Sequence, residues 1–229
     1  MFMRRGLFAD RSEAGRPLAE RLLRFKDERP VVLALPRGGV PVGFEVARAL
    51  DAPLDLILVR KIGAPFQPEL AVGAVVDGGR AETVINEEIV REFQIPESYI
   101  AEESARQLEE IERRRELYLA ERARAPVQGC TAIVVDDGIA TGATMEAALH
   151  ATRRANPKRL VLATPVAPPD TLERLRPQAD EVVCLATPKW FAAIGMFYED
   201  FQQLTDEEVV DLLRQARRSE KEPMATAAR

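Results

Sequence analysis

Two adjacent carboxylates followed by a run of small residues are the residue types in this chain best suited to chemistry. Asp136 and Asp137 follow the apolar run 131–135. The residues after them are Gly138, Ile139, Ala140, Thr141, Gly142, Ala143 and Thr144. Adjacent carboxylates accept hydrogen bonds from a vicinal diol or hold a hydrated Mg²⁺ ion. Backbone amides at a helix start, helped by the hydroxyls of Thr141 and Thr144, bind a phosphate. The pattern therefore predicts a cradle for a phosphorylated sugar.

Hydrophobic periodicity predicts the elements that must position these residues. Continuous apolar runs of strand length are typical of strands covered on both faces of a sheet. Such runs lie at 31–35, 54–59, 131–135, 160–166 and 181–186. Helices are predicted between and around them at 12–26, 40–50, 144–155, 169–176 and 205–218. This alternation predicts an α/β fold with a doubly wound, mainly parallel sheet.

The segment 80–126 interrupts this alternation, and we interpret it as an insertion. A hairpin is predicted between strands at 71–76 and 81–85, followed by helices at 87–93 and 97–124. The segment 63–68 holds one glycine and two prolines, which predicts an irregular loop. The whole chain, 1–229, is predicted to form one domain with a frayed tail at 220–229.

Three unusual loops each follow a predicted strand. They occupy 36–39, 60–70 and 136–144. In doubly wound sheets the ligand binds beyond the carboxyl ends of the strands. We therefore expect the three loops to converge on one edge of the sheet and to form a single site there.

The segment 131–144 resembles the signature of the type I phosphoribosyltransferases, which is an apolar strand, two acids and a small-Thr-Gly-small-Thr loop. In that family the paired acids hold the ribose hydroxyls of 5-phosphoribosyl 1-pyrophosphate, and the loop wraps its 5-phosphate. The resemblance implies that Asp136 and Asp137 bind the ribose diol, and Mg²⁺ through water or the ligand. It also implies that the loop 138–144 binds the phosphate.

Two further loops resemble parts of the same family. The loop 36–39, with the sequence Pro-Arg-Gly-Gly, resembles the pyrophosphate loop. The segment 60–65 resembles the start of the mobile catalytic loop in adenine-type members. The resemblance implies a catalytic role for Lys61. The residues that it implies for pyrophosphate binding are Arg37, Gly38, Gly39, Arg60 and Lys61.

One departure from the family pattern concerns the nucleobase. Members that act on 6-oxopurines carry an acid at the position of Ala140, so this loop is similar to the adenine-type pattern and the acceptor stays unassigned. If a general base is required, Glu69 is the candidate catalytic residue. The segment 187–201 resembles a short version of the family's hood, in which Trp190 and Phe191 would stack on the nucleobase.

These features favour an enzyme that transfers phosphoribose from 5-phosphoribosyl 1-pyrophosphate to a nitrogen nucleophile, such as a nucleobase, and releases pyrophosphate. The alternative is a regulatory protein that binds the same ligand without transfer, because Ala140 replaces the acid. A third hypothesis is a phosphatase or phosphoacceptor that uses Asp136 or Asp137 covalently.

Each supporting residue also has a purely structural interpretation. Arg60 and Lys61 are equally well interpreted as solvated charges at a strand end. The loop 36–39 is by itself compatible with a tight turn between a strand and a helix. Trp190 and Phe191 more often pack in a core or an interface than on a base.

Composition argues against several other classes of function. A net charge of −5 and a pI near 5.2 disfavour nucleic acid and membrane surfaces as partners. No apolar run reaches the roughly 18 residues that span a bilayer. Cys130 and Cys184 are predicted to be buried free thiols, which favours the cytoplasm. With His150 as the single histidine, a His-rich metal site is excluded. Small molecules are the expected partners, and homo-oligomerisation stays open.

Overall fold

Two sheets organise the chain, and the larger one carries the predicted site. The computed structural model describes residues 6–77, 81–119 and 124–221. The strands are β1 (Pro30–Ala34), β2 (Leu54–Leu56), β3 (Leu58–Ala64), β4 (Gln67–Asp77), β5 (Ala81–Ile85), β6 (Thr131–Val135), β7 (Arg159–Val166) and β8 (Glu181–Ala186). The helices are α1 (Arg11–Leu22), α2 (Gly39–Leu50), α3 (Glu87–Glu92), α4 (Glu97–Leu119), α5 (Ala143–Arg154), α6 (Pro169–Leu175) and α7 (Asp206–Lys221). Short 3₁₀ helices lie at Leu23–Glu28, Arg176–Gln178 and Ile194–Phe197.

The larger sheet is parallel throughout and has the strand order β2-β1-β6-β7-β8. Helices cover both of its faces, so the predicted α/β fold class is confirmed. β6 lies in the middle of the sheet, and all five of its residues are buried. This is the position that a short, continuous apolar strand requires.

Side chains of β6 alternate between two hydrophobic cores, because successive residues of a strand point to opposite faces. Ile133 and Val135 belong to the core that α1, α2 and α7 complete. Ala132 and Val134 belong to the core that α5 and α6 complete. The strand is therefore held from both sides, and the residue that follows it, Asp136, leaves the sheet at a well-defined place.

The prediction of one continuous strand at 54–59 is wrong, because the chain passes from one sheet to the other within this segment. β2 ends at Leu56 in the parallel sheet, where the amide of Ile57 donates to the carbonyl of Ala34 (3.1 Å). β3 begins at Leu58 in a separate antiparallel sheet of order β3-β4-β5. Arg60 and Lys61 consequently lie within a strand and not in a loop after one.

The irregular loop predicted at 63–68 is also wrong. Most of this segment belongs to β3 and β4, which pair as far as Ala64 and Gln67. The register shifts at Gly63, where an added Cβ would lie 2.5 Å from the carbonyl oxygen of Pro68. The glycine therefore permits a close backbone approach at an irregularity of the hairpin, and it does not interrupt the strand.

The inserted segment buttresses this hairpin. α4 packs against β3 and also against α7. The Tyr99 hydroxyl donates a hydrogen bond of 2.8 Å to the carbonyl of Gly63. Nε of Arg60 donates a hydrogen bond of 2.9 Å to Oε1 of Gln107. Two side chains of α4 thus hold the strand in which the predicted catalytic lysine lies.

Parts of three predictions fall outside the described residues. They are most of the hairpin turn at 77–80, the last part of the helix predicted at 97–124, and most of the tail at 220–229. Within the described part, the hairpin strands and the helix are confirmed. α7 continues to Lys221, so it is longer than the helix predicted at 205–218, and the first two residues of the predicted tail are helical.

The segment before α1, residues 6–10, is bound to the predicted hood, and we call it the N-terminal strap. Phe8 donates its amide to the carbonyl of Phe197 (3.0 Å) and accepts from the amide of Glu199 (2.9 Å). Asp10 then caps α1 by accepting from the amide of Glu13 at 2.7 Å. The strap therefore fixes where the first residue of α1 is placed.

Three simple predictions concern membrane spans, cysteines and histidine. In the described ranges, no helix combines the length and the apolar character needed to cross a bilayer. Cys130 is buried, whereas Cys184 is partly exposed, so burial was predicted correctly only for the first. His150 is exposed on α5, away from any predicted chemistry.

Replacing Ile133 by alanine should test the central position of β6. Ile133 is fully buried, so Ile133→Ala should lower the free energy of unfolding by about 2–5 kcal/mol, measured by urea denaturation. Leu117→Ala, at a residue that is 43% exposed, is the control and should cost less than about 0.5 kcal/mol. Similar losses in the two variants would contradict the central position.

Candidate functional site

The loops after β1 and β6 lie against each other at the carboxyl edge of the parallel sheet. A Cβ added to Gly38 would lie 2.1 Å from Oδ2 of Asp137. A Cβ added to Gly39 would lie 2.7 Å from the carbonyl oxygen of Val135. The expected convergence of these two loops is therefore present, and it requires residues without side chains at both positions. The peptide bond before Arg37 is cis.

Asp137 is buried at this edge of the sheet. Its Oδ2 accepts a hydrogen bond of 2.6 Å from Nε of Arg11, the first residue of α1. Its backbone carbonyl accepts a second hydrogen bond, from the Tyr198 hydroxyl. Burial raises the pKa of Asp137, and the adjacent Arg11 guanidinium opposes that rise. Burial likewise raises the pKa of Tyr198, which keeps its hydroxyl a donor.

Asp136 differs from its neighbour in its partners. Its Oδ1 accepts a hydrogen bond of 2.9 Å from the amide of Asp137. Among the described residues, no arginine or lysine forms a salt bridge with it. Burial, together with the negative charge of Asp137, raises the pKa of Asp136 well above its usual range. The site thus presents one carboxylate bound to a cation and one that is still available to a ligand.

The loop 138–144 is held by its neighbours on β7 and α6. The Ile139 amide donates to the carbonyl of Val166 at 2.9 Å. The carbonyl of Ala140 accepts from Oγ1 of Thr171 at 2.8 Å. These contacts tie the first half of the loop to the end of β7 and to the first turn of α6.

The second half of the loop directs amides away from α6. The carbonyl of Thr141 accepts a hydrogen bond from the Arg174 guanidinium. In a trans peptide the carbonyl and the next N–H point in opposite directions, so the amide of Gly142 points away from α6. Gly142 itself has a φ of 82°, which favours glycine, and α5 begins at the next residue. The first amides of α5 have no acceptor within the helix, and this is an arrangement that can bind an anion.

Arg37, predicted to bind pyrophosphate, faces the start of α7. Its Nη1 lies 3.6 Å from Oδ1 of Asp206. The same oxygen accepts a hydrogen bond from the Tyr118 hydroxyl of α4. Burial and then this hydrogen bond raise the pKa of Tyr118 to about 12. The loop 36–39 is therefore connected through Asp206 to both α7 and the insertion.

The hairpin β3–β4 carries the other residues predicted for catalysis. Its two strands pack against α5, the helix that the 138–144 loop leads into. Lys61 is exposed on this hairpin, while Arg60 is bound to Gln107. The side chain of Glu69 lies outside the described residues, so its role stays a prediction.

The predicted hood places its two aromatic candidates differently. Trp190 is 70% exposed, whereas Phe191 packs against Phe197 with ring centroids 5.0 Å apart. The same segment also closes on the 138–144 loop, since a Cβ added to Gly138 would lie 2.4 Å from Cγ2 of Ile194. The hood is therefore packed beside the loop, and Trp190 is its exposed aromatic ring.

Sequence reasoning missed Arg11, Thr171 and Asp206, although each contacts a predicted site residue. Arg11 is 126 positions before its partner Asp137, and its place at a helix start carries no functional signal by itself. Thr171 and Asp206 are also found at helix starts, where polar residues are ordinary. Tyr198 lies within the predicted hood, but nothing in the sequence indicated its role. No local pattern identifies any of these four contacts.

Replacing Gly38 by alanine should show how closely the two loops fit. The new Cβ would overlap the Asp137 carboxylate, so Gly38→Ala should lower the free energy of unfolding by about 1–3 kcal/mol in urea denaturation. In an Asp137→Ala background most of that cost should disappear, because the overlapping atoms are absent. An equal cost in both backgrounds would contradict the fit.

A control comes from the opposite end of β6. Gly129 has a φ of 70° and open space around it, so Gly129→Ala should cost about 1–2 kcal/mol through backbone strain alone. That cost should be the same with and without Asp137.

Comparisons with known proteins agree with this architecture. The sequence model of the family described as "Phosphoribosyl transferase domain" matches residues 11–202. Proteins from two strains of Mycobacterium tuberculosis, each named "Putative phosphoribosyl transferase", are 49% identical to this chain over 212 residues, which is 93% of this chain and 47% of each relative. This chain thus spans about half the length of these curated relatives. The crystal structure of TT1426 from Thermus thermophilus is 48% identical and has a TM-score of 0.79, covering 91% of this chain and 98% of that chain. The chain therefore belongs to the phosphoribosyl transferase domain family.

Proposed function

We propose that this protein transfers phosphoribose from 5-phosphoribosyl 1-pyrophosphate to a nitrogen nucleophile and releases pyrophosphate. One observation carries the proposal, namely the position of Asp136 directly before an amide-lined loop at the carboxyl end of β6. A carboxylate suits a ribose diol, and amides at a helix start suit its 5-phosphate. Membership of the phosphoribosyl transferase domain family supports the same ligand.

The proposal gives each part of the ligand its own place. The ribose hydroxyls donate to carboxylate oxygens of Asp136 and Asp137. The 5-phosphate accepts from the loop 138–144 and from the first turn of α5. The pyrophosphate lies along the loop 36–39, where Arg37 supplies positive charge.

Lys61 and Arg60 are proposed to assist the departure of pyrophosphate. As the bond to the ribose breaks, negative charge accumulates on the leaving group and positive charge on the sugar. Fixed cations near the leaving group stabilise that charge separation. The exposed position of Lys61 on a hairpin that packs against α5 is compatible with this role.

A Mg²⁺ ion is part of the proposal. Proteins usually bind Mg²⁺ through one or two carboxylates together with substrate phosphates and water. Within the described ranges, His, Cys, Asp and Glu residues form no group of three or more that would cage an ion. The adjacent pair Asp136 and Asp137 fits a site that the ligand completes. Bound there through water or the ligand, the ion would neutralise charge on the pyrophosphate.

The acceptor is proposed to be a nucleobase that lies under the hood. Trp190 is the exposed aromatic ring there, and Phe191 is the second candidate for stacking. Ala140 presents a methyl group in the loop, so the chain supplies no carboxylate at the position that 6-oxopurine enzymes use. Glu69 stays the proposed general base if the reaction requires one.

Ligand binding without transfer is the second candidate function. Two observations favour it. Ala140 has only a methyl side chain, and the ring of Trp190 is largely exposed, so neither residue encloses a base. A regulatory protein would need only the acids and the phosphate loop. Both functions therefore require the same ligand, and only the transferase converts it to products.

The first experiment measures pyrophosphate release when the protein is incubated with Mg²⁺, 5-phosphoribosyl 1-pyrophosphate and a panel of nucleobases. Transfer predicts release with at least one base. Calorimetry of 5-phosphoribosyl 1-pyrophosphate binding is done in parallel. Tight binding without release for any base would support the regulatory protein, and absence of both would refute both functions.

Asp136→Asn is expected to weaken binding of 5-phosphoribosyl 1-pyrophosphate at least tenfold in the same calorimetry. Asparagine keeps an oxygen for the Asp137 amide and removes a charge from a partly buried site, so the free energy of unfolding should stay within about 1 kcal/mol or rise. The control is Asp211→Asn, which makes the same change at a side chain that is 67% exposed on α7. Equal affinities in the two variants would argue against Asp136 as a ligand-binding residue.

Trp190→Ala should test the proposed base stacking. The ring is 70% exposed, so its loss should change the free energy of unfolding by less than about 0.5 kcal/mol. A lost stack of roughly 1–3 kcal/mol should raise KM for the accepted base about fivefold to more than a hundredfold. Trp190 is the single tryptophan, so base binding should also change the intrinsic fluorescence of the unmodified protein.

Phe93→Ala is the matched control, because this ring is 43% exposed on the insertion. It should leave KM unchanged. The stacking role would be refuted by equal KM values for the Trp190 variant and the unmodified protein.

A further inference from the structure

We infer that Arg11 is a positioning residue of the phosphoribosyl site, which acts by holding the Asp137 carboxylate in place. The inference rests on the proposed function and assigns a role to a residue at the far end of the chain from the ligand loop. It also gives the two adjacent acids different roles. Asp137 is the acid that the protein orients through Arg11, and Asp136 is the acid left without a protein cation among the described residues.

The guanidinium of Arg11 is held on three sides. Nε donates to Oδ2 of Asp137 at 2.6 Å, and Nη1 donates to the backbone carbonyl of Gln202 at 2.9 Å. The central carbon lies 3.9 Å from the ring centroid of Phe201, which is the geometry of a cation–π contact. Side-chain exposure is only 11% for Arg11 and 9% for Asp137. Such a pair has few other geometries available to it.

The surroundings of this pair come from both ends of the chain. Tyr198 donates its hydroxyl to the Asp137 carbonyl, and its ring packs on Phe201 at 5.0 Å and on Phe8 at 5.5 Å. The N-terminal strap and the hood are joined by backbone hydrogen bonds at this place. The position of Asp137 therefore depends, through its hydrogen bonds with Arg11 and Tyr198, on where the strap and the hood lie.

The contact matters for the ligand because Asp137 lies between Arg11 and the pyrophosphate loop. The oxygen that accepts from Arg11 also occupies the place that a Cβ of Gly38 would take. A rotation of the carboxylate would move this oxygen away from Gly38. By fixing this rotation, Arg11 keeps both the carboxylate and the loop 36–39 in the arrangement that the proposed ligand needs.

A thermodynamic cycle tests whether Arg11 acts through Asp137. Binding of 5-phosphoribosyl 1-pyrophosphate with Mg²⁺ is measured by calorimetry for the unmodified protein, Arg11→Gln, Asp137→Asn and the double variant. We expect Arg11→Gln to weaken binding roughly tenfold to hundredfold, as is typical when a residue that orients a ligand-binding group is removed. The double variant should bind no more weakly than Asp137→Asn, because the two residues act as one unit.

Two control variants separate this role from a general loss of charge or of stability. Arg16→Gln removes the same charge from an exposed position of the same helix and should bind like the unmodified protein. Gly129→Ala, which is strained at a distance from the site, shows what a loss of stability alone does to binding.

If Arg11→Gln does not fold, the same cycle is run with Arg11→Lys, which keeps the charge and loses the contacts with Gln202 and Phe201. That variant should fall between the unmodified protein and Asp137→Asn.

The outcomes distinguish this inference from the proposed function. If the unmodified protein does not bind the ligand, the proposed function fails and the inference fails with it. If the unmodified protein binds and Arg11→Gln binds like Arg16→Gln, only the role of Arg11 is refuted. If the losses of the single variants multiply in the double variant, Arg11 acts independently of Asp137, and the inference is refuted.

Discussion

Parallel pairing of β1 with β6 is the interaction on which the candidate site depends. The register pairs Ala34 with Val135, so both strands end at the same level, and one further hydrogen bond of 2.9 Å joins Leu35 to Val135. The loops 36–39 and 136–144 therefore start side by side. The fit between them leaves no room for a side chain at Gly38. A change in this register by one residue would separate the loop 36–39 from the acids.

The two acids are chemically identical in the sequence, and the structure makes them different. Asp137 has a buried cation as its partner, whereas Asp136 accepts only a backbone amide among the described contacts. Two uncompensated carboxylates side by side, one buried and one partly buried, would be costly. One arginine offsets part of that cost and still leaves one acid for a ligand. Pairing only one of the two acids with a cation suits a site that must stay folded when no ligand is bound.

The inserted helices change the interpretation of the hairpin that carries Lys61. The resemblance implies a mobile catalytic loop, and the structure has an antiparallel sheet with α4 packed against it. Hydrogen bonds from Tyr99 and to Gln107 connect α4 with this sheet. Asp206 links α4 to Arg37 on the other side of the site. The insertion is thus attached to both segments proposed to contact pyrophosphate, the loop 36–39 and the strand β3.

Local patterns in the sequence predicted much of the fold and of the candidate site. The buried strand 131–135, the acids after it and the glycine-containing loop could be predicted because buried strands and chain turns leave short-range patterns in the sequence. Two kinds of feature were decided only by the tertiary structure. The change of sheet at Ile57 depends on which partner strand is in reach, and apolar residues suit either sheet. The contact of Arg11 with Asp137 joins residues 126 positions apart, so only folding brings the cation to the acid.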